Sequence, residues 1–210
     1  PNGIDPDEWK CAGSPLPSKV REGISQFRTN GYTVVGYAGS HGVANALDVL
    51  LDAAKLLQNK KVVFVLVGGG PKKAELQQRC CLEGLHNVRF FEPVLKEQIP
   101  ALLHCFDMAY IGLPRQPLFR FGIAPNKLMD YMIAGKPIIM AIDAGNDPVA
   151  ESGCGVTVEP ENPKAVANGI SNLIALSAEE REAMGQRGRE FVTNKHTYPV
   201  LARIFLEGIN

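Results

Sequence analysis

Residues 120–137 read RFGIAPNKLMDYMIAGKP, and the stretch from Leu113 onward gathers the chain's most suggestive charges. Arg115, Arg120 and Lys127 bring three cations into one loop and the start of one helix. Pro125 stands where proline is tolerated, near the first helical position. The opening turn of a helix has free N–H groups and a partial positive charge. Cations beside it oppose the dipole, a local conflict that an anionic ligand resolves. Asp130 lies three residues after Lys127, on nearly the same face. A carboxylate there can accept from two vicinal hydroxyls, as a ribose offers, or it can pair with Lys127 on the surface. Met129, Met132 and Ile133 read as core.

Two further stretches have phosphate-binding character. In AGSHGVANALD, Gly39 and Gly42 permit tight turning with Ser40 and His41 between them, ahead of a helix start. This is not G-x-G-x-x-G, so the dinucleotide fingerprint fails, and a plain strand–helix turn stays an equal alternative. VLVGGGPKKAEL includes Gly69 and Gly70 but no G-x-x-x-x-G-K-[ST], which disfavours P-loop ATPase chemistry. At least one of Lys72 and Lys73 reads as a solvated first-turn residue. No G-x-S-x-G occurs, and the four histidines show no metal spacing. No catalytic residue is singled out, and the chemistry that remains is the positioning of a phosphorylated ligand.

Such residues need a scaffold. Apolar runs at 32–39, 61–70, 87–92, 106–113, 136–142 and 155–160 read as strands. Helical spacing covers 19–29, 44–57, 71–84, 96–105, the segment opening at Pro125, and then 163–176, 178–193 and 199–207. Ser177 with Glu180 forms a capping-box signature. Strands that alternate with helices and are continuously apolar imply an α/β class: a Rossmann-like, doubly wound parallel sheet of about six strands. Ligands of such sheets bind beyond the carboxyl ends of the strands, where the glycine loops and the 113–126 loop fall.

Composition sets outer bounds. The 210 residues are 45% hydrophobic and 21% charged, with 22 Lys+Arg against 22 Asp+Glu. That is ordinary globular composition, and the zero net charge gives no support to a nucleic-acid partner. Cys11, Cys80, Cys81, Cys105 and Cys154 are odd in number and lack a C-x-x-C pair, so reduced thiols in a cytoplasmic protein are expected. No stretch is apolar enough to span a bilayer. The opening PNGIDPDEW lacks Met and is turn-rich, as in the middle of a longer chain. The expected organisation is a linker and N-terminal extension (1–30), a ligand-binding domain (31–195) and a C-terminal helix (196–210).

The stretches VVGYAGSHGVANALDVLLDAAKLL, FVLVGGGPKKAEL, NVRFFEPVLKEQIPALL and PNKLMDYMIAGKPII, in that order, resemble the C-terminal, donor-binding domain of family-4 glycosyltransferases of GT-B fold. The similarity is to bacterial enzymes of lipopolysaccharide, O-antigen and capsule assembly, and it covers nearly the whole chain. It implies one half of a GT-B fold and retaining transfer from a nucleotide sugar, usually UDP-linked, without an obligatory metal. It also implies an N-terminal domain not in this sequence and a saccharide or lipid-linked acceptor. Peripheral attachment at the inner membrane through that domain stays open.

By position, the resemblance sets Gly39–Gly42 against the diphosphate, residues near Val94 against the base, and Gly122, Ile123, Ala124, Pro125, Asn126 and Lys127 against sugar and phosphates. Asp130 matches the second acid of the family's E-x7-E pattern, which holds the ribose. The first acid falls on Gly122, and the basic pair many members carry after the first strand is absent from SHGVANA. Arg115, Arg120 and Lys127 are the cations available instead. Two alternatives remain: a UDP-sugar 2-epimerase-like GT-B enzyme, and a non-catalytic nucleotide-binding module.

Overall fold

The computed structural model describes residues 2–10 and 14–207. Cys11 lies outside them; Cys80, Cys81, Cys105 and Cys154 are free thiols. Six strands form one sheet: β1 (Thr33–Ala38), β2 (Val62–Val67), β3 (Val88–Phe91), β4 (Met108–Gly112), β5 (Ile138–Ala141) and β6 (Gly155–Thr157). Every neighbouring pair is parallel, in the order β3-β2-β1-β4-β5-β6. The helices are α1 (Asp7–Lys10), α2 (Ser18–Thr29), α3 (Leu47–Leu56), α4 (Lys73–Leu82), α5 (Ile99–His104), α6 (Asn126–Ile133), α7 (Pro148–Ser152), α8 (Pro163–Ala175), α9 (Ala178–Lys195) and α10 (Tyr198–Glu207).

The strands are apolar throughout because both faces of the sheet are covered. In β2, Val63, Val65 and Val67 face one core with α2, α5, α6 and α9. Val62, Phe64 and Leu66 face the other, with α3, α4 and α8. This two-sided burial bears out the doubly wound reading. Residues 14–30 take part in it, since α2 buries Val20 and Ile24. The segment before α1 is tied to the far end of the chain, with Ile4 N–H donating to His196 O at 2.8 Å. The capping box at α9 is formed as well. Ser177 Oγ accepts from Glu180 N–H at 3.1 Å and the Glu180 carboxylate accepts from Ser177 N–H at 2.7 Å; such a cap contributes about 1 kcal/mol.

One element starts later than its apolar spacing implies. The helix expected from Ala44 begins at Leu47, after a 3-10 turn at Val43–Asn45. Ala46 sits between them in a left-handed conformation (φ 46°), uncommon for a residue with a Cβ. Two short helices, α1 and α7, carry no helical period in the sequence. α7 is set by local chemistry: Pro148 in its first turn, Asp147 accepting from Ala150 N–H at 2.9 Å, and Gly153 ending it at φ 64°.

The order of strands reverses between β1 and β4, the switch point at which open α/β sheets form their ligand crevice. β1 and β4 pair at Val35–Met108 and Gly36–Ala109. Beyond that register the Ala38 N–H donates to the Tyr131 hydroxyl of α6 at 3.0 Å. Tyr131 is buried and pins α6 across the divergence of the two strands.

Candidate donor-binding site

The first two glycine loops are built as one unit. Past the end of the sheet, Gly39 N–H donates to Val67 O at 3.0 Å, His41 N–H to Gly69 O at 2.8 Å and Lys72 N–H to His41 O at 2.9 Å. The β1–β2 pairing thus continues as a loop ladder. Gly68 and Gly70 have φ of 151° and 149°, and a Cβ on Gly68 would lie 1.9 Å from Gly39 O. Backbone contact this close requires glycine.

Lys127 projects from the first turn of α6 over this ladder. Its Nζ donates to the Tyr37 hydroxyl at 3.0 Å and to Asn45 Oδ1, and lies 4.7 Å from the Tyr37 ring centroid. Tyr37 and Asn45 in turn donate to Ser40 O at 2.7 and 2.9 Å. The ammonium therefore sits against the 39–45 loop, where SHGVANA has no cation of its own. Its partners are neutral, and among the described residues no carboxylate pairs with it. Burial lowers its pKa from 10.5 to about 8.

Asp130, one turn further along α6, is half-buried, and among the described residues its carboxylate has no hydrogen-bond or ion-pair partner. The surface pair with Lys127 does not form. Burial pushes Asp130 up to about 6, with Lys96 opposing and Glu8 adding to the shift. Lys96 itself pairs with Glu8 of α1 at 3.0 Å. Val94, at the same edge, is half-buried against the core.

His41 is fully buried, 5.8 Å from the Phe90 ring centroid and 6.0 Å from that of Tyr37. Neither ring nitrogen has a partner among the described residues. Burial first, then the charge of Lys73, lowers its pKa to about 4, so the ring is neutral at neutral pH. Its placement inside the loop ladder makes it a packing element there. Lys73 is not a solvated first-turn residue: it reaches Glu92 at 2.8 Å and Phe91 O at 3.3 Å. Lys72 pairs with Glu75.

The other two cations of the opening motif diverge. Arg115 is engaged by Glu159 at 2.9 Å, with Asp143 and Glu161 each at 3.7 Å. Arg120 is exposed, its guanidinium 4.6 Å from the Phe121 ring centroid. Gly122, where the E-x7-E pattern has its first acid, takes φ 98°, and a Cβ there would lie 3.1 Å from Asn146 Oδ1. Asn146 brackets the next residue, accepting from Ile123 N–H at 2.7 Å and donating to Ile123 O at 3.0 Å. Asn2 donates to Ala124 O. The Gly122–Pro125 backbone is thereby fixed, with Asn126 exposed at the start of α6. Among the described residues no group of three or more His, Cys, Asp or Glu could hold a metal ion, and no helix is long and apolar enough to cross a membrane.

Tyr37, Asn45 and Asn146 are the site's additions to the sequence reading. None carries a local signal, because each acts through a partner distant in the chain.

Known proteins give this arrangement its context. The family model described as "Glycosyl transferases group 1" matches residues 32–175. WbpZ of Pseudomonas aeruginosa PAO1, a D-rhamnosyltransferase, is 35% identical over 78% of this chain and 40% of its own length. WcaI of Escherichia coli K12, named for glycosyl transfer in colanic acid biosynthesis, is 28% identical over 68% of this chain and 36% of its own. The chain thus spans less than half the length of these curated relatives. Among solved structures, HepE of Anabaena with UDP and glucose superposes with a TM-score of 0.74 at 20% identity, covering 99% of this chain and 55% of that one. The C-terminal domain of the group 1 glycosyl transferase LpcC from Francisella tularensis superposes at 0.69 and 18% identity, covering 93% of this chain and all of that one. A parallel sheet whose strand order reverses at β1 and that superposes on about half of the HepE chain, together with a family model spanning all six strands, leads to one assignment: the chain belongs to the group 1 glycosyl transferases and forms one half of a GT-B fold.

Proposed function

We propose that this chain is the donor-binding half of a glycosyltransferase, holding a UDP-linked sugar for retaining transfer to a saccharide or lipid-linked acceptor in surface polysaccharide synthesis. The observation that carries this reading is a single helix turn. On α6, at the sheet's switch point, Lys127 offers an ammonium without a carboxylate partner and Asp130 a carboxylate without any partner among the described residues. A nucleoside diphosphate complements both, its diphosphate at Lys127 over the 39–42 loop and its ribose hydroxyls at Asp130. The base then falls beside Val94 and the sugar beside Gly122–Ala124. Negative charge grows on UDP as it leaves, and a fixed ammonium and oriented N–H groups stabilise that charge without reorganising. The acceptor side would come from an N-terminal domain. The HepE complex with UDP and the polysaccharide context of WcaI support the same ligand and pathway class.

Thermal shift of this chain with UDP, GDP, ADP and inorganic phosphate tests the reading. A rise selective for UDP is expected; equal responses, or none, would sink it.

Asp130→Asn should weaken UDP binding by roughly tenfold at neutral pH, as loss of a charged hydrogen-bond acceptor does. In the parent, affinity should fall as pH drops through about 6, where Asp130 takes up its proton. UDP's terminal phosphate also titrates near there, so the diagnostic is the difference: the Asn variant should show the shallower pH dependence by calorimetry. Because the folded-state pKa of about 6 lies above that of a free aspartate, stability falls as pH rises between the two, and ionised Asp130 destabilises the fold above about 6. The Asn variant should then melt no lower than the parent at neutral pH.

Arg115→Gln should leave UDP affinity within about twofold, because the guanidinium is committed to exposed acids of low individual worth. A larger loss would return Arg115 to the donor site.

A further inference from the structure

The opposite, amino edge of the sheet carries a second concentration of positive charge. A cavity of about 460 Å³ opens there, with Arg28, Lys136, Arg181 and Arg189 in its wall. Its acids are Asp107 and Glu182. Asp107 is occupied by Arg28 at 3.3 Å and by Val34 N–H at 2.8 Å, while Glu182 is exposed. Among the described residues, Lys136, Arg181 and Arg189 pair with no carboxylate.

Each of these three bonds carbonyls at a helix end instead. Lys136 Nζ donates to His104 O at 3.2 Å, Arg189 Nε to Ile133 O at 3.0 Å, and Arg181 Nη1 to the carbonyls of Leu173, Ile174 and Leu176. Cations at helix C-termini are favourable there. The bonds fix the side chains, and the pocket keeps more cations than acids, in a chain whose Lys+Arg and Asp+Glu are equal in number. Lys136 feels Asp107 first and then the like charges of Arg28 and Arg189, which sets the cations close together around one acid.

A second cavity, of about 370 Å³, adjoins the first and shares His104, Ala134 and Arg189 with it. Its remaining wall is largely apolar: Pro6, Trp9, Pro100 and Ile133, with Thr193 at one side. Both volumes lie in the range of about 300–1,000 Å³ usual for small-molecule sites. A basic pocket continuous with an apolar trough matches an amphiphile with an anionic head. Guanidinium forks held in place suit phosphate oxygens.

We propose that Lys136, Arg181 and Arg189 bind the phosphate of a phosphorylated lipid whose hydrocarbon chain enters the trough beside Trp9 and Ile133. The phosphate pocket lies across the sheet from the donor edge, and the proposal stands independently of the donor assignment.

Trp9 is the chain's single tryptophan and reports on the trough directly. Its emission is titrated with octanoyl lysophosphatidic acid below its micelle concentration, with monooctanoylglycerol, which has the same chain and no phosphate, as the uncharged control, and with inorganic phosphate as the head alone. A saturable blue shift is expected with the first and not with the second. The double variant Lys136→Gln/Arg189→Gln should weaken it roughly tenfold or more, from the loss of two cations. Arg187→Gln, which removes one charge from the same helix outside the pocket, should leave it unchanged. Equal responses to the two lipids would overturn the phosphate head. An equal loss in Arg187→Gln would reduce the effect to net charge. Inorganic phosphate binding as tightly as the lysophosphatidic acid would overturn the amphiphile. The comparison of lipids on the parent chain decides the matter even if the double variant folds poorly.

Discussion

Replacing Lys127 with Ala is expected to weaken UDP binding at least about tenfold, measured by titration calorimetry at neutral pH. The magnitude follows from one charge-assisted hydrogen bond, about 1.5–3 kcal/mol. The direction follows from geometry. Of the three cations read from the sequence, Arg115 is engaged by carboxylates and Arg120 lies out over Phe121. Lys127 alone among them rests on the loop where the diphosphate is proposed, with Tyr37 and Asn45 as its hydrogen-bond partners among the described residues. An unchanged dissociation constant would remove the central support of the donor assignment.

A structural role for Lys127 predicts something different, which makes the two separable. Burial holds its pKa at about 8 against 10.5 for a free lysine. A folded-state pKa below the unfolded one means that the unfolded chain binds more protons between those values. Stability should therefore rise with pH through that window. Lys127→Met keeps the stem and removes the charge, so it should melt no lower than the parent at neutral pH, lose UDP, and lack that rise. A merely structural lysine would give the reverse: a lower melting temperature with UDP affinity intact. UDP affinity of the parent should also decline as pH is raised beyond about 8, since the neutral amine attracts no phosphate.

The six strands were legible because a sheet covered on both faces writes continuous apolar runs into the chain, as in VVFVLV of β2. Helix starts were less legible where tertiary contacts reset them. Asn45 is drawn to Ser40 and Lys127, and α3 begins only after the left-handed Ala46. α7 was missed because its five residues are too few to show a period. In the site, the glycine loops and the placement of Lys127 and Asp130 one turn apart on one helix could be read locally. What each cation would face could not. Arg115 meets Glu159 and Glu161 only when β6 has passed its end, and Lys73 meets Glu92 only across β2 and β3. The missing basic pair after β1 shows the same limit from the other side. The cation that rests against that loop is Lys127, some eighty residues away in the chain; its local motif marks it as a cation but not which loop it meets. Gly122 is similar: its φ of 98° and the amide of Asn146 beside it belong to a loop built around backbone contacts.

Gly68→Ala should be among the most damaging single methyl additions near this site, and the comparison with Gly42→Ala explains why. At Gly68 a Cβ would meet Gly39 O at 1.9 Å, and the residue holds φ 151°. The obstructing atom is backbone within the loop ladder, so no rotamer change relieves it. Overpacking and an unfavourable φ each cost roughly 1–3 kcal/mol. A loss of roughly 3 kcal/mol would lower the melting temperature by roughly 6–12 °C for a chain of this size. At Gly42 the backbone is extended, with φ −109° and ψ 165°. A Cβ would have only ordinary contacts, 3.4 Å to Ser40 Oγ and 3.9 Å to Asn45 Nδ2. Gly42→Ala should therefore melt close to the parent, and any loss of UDP affinity in it would reflect a methyl group standing where phosphate approaches the backbone. Together the two variants separate two uses of glycine in one loop system. Gly68 is required so that the loops can close on each other, and the donor assignment proposes Gly42 as the place where a ligand comes near. A Gly68→Ala chain that melts with the parent would mean that the loop ladder is not what holds the donor edge in shape. A Gly42→Ala chain with full UDP affinity would move the diphosphate away from this loop and toward the α6 terminus alone.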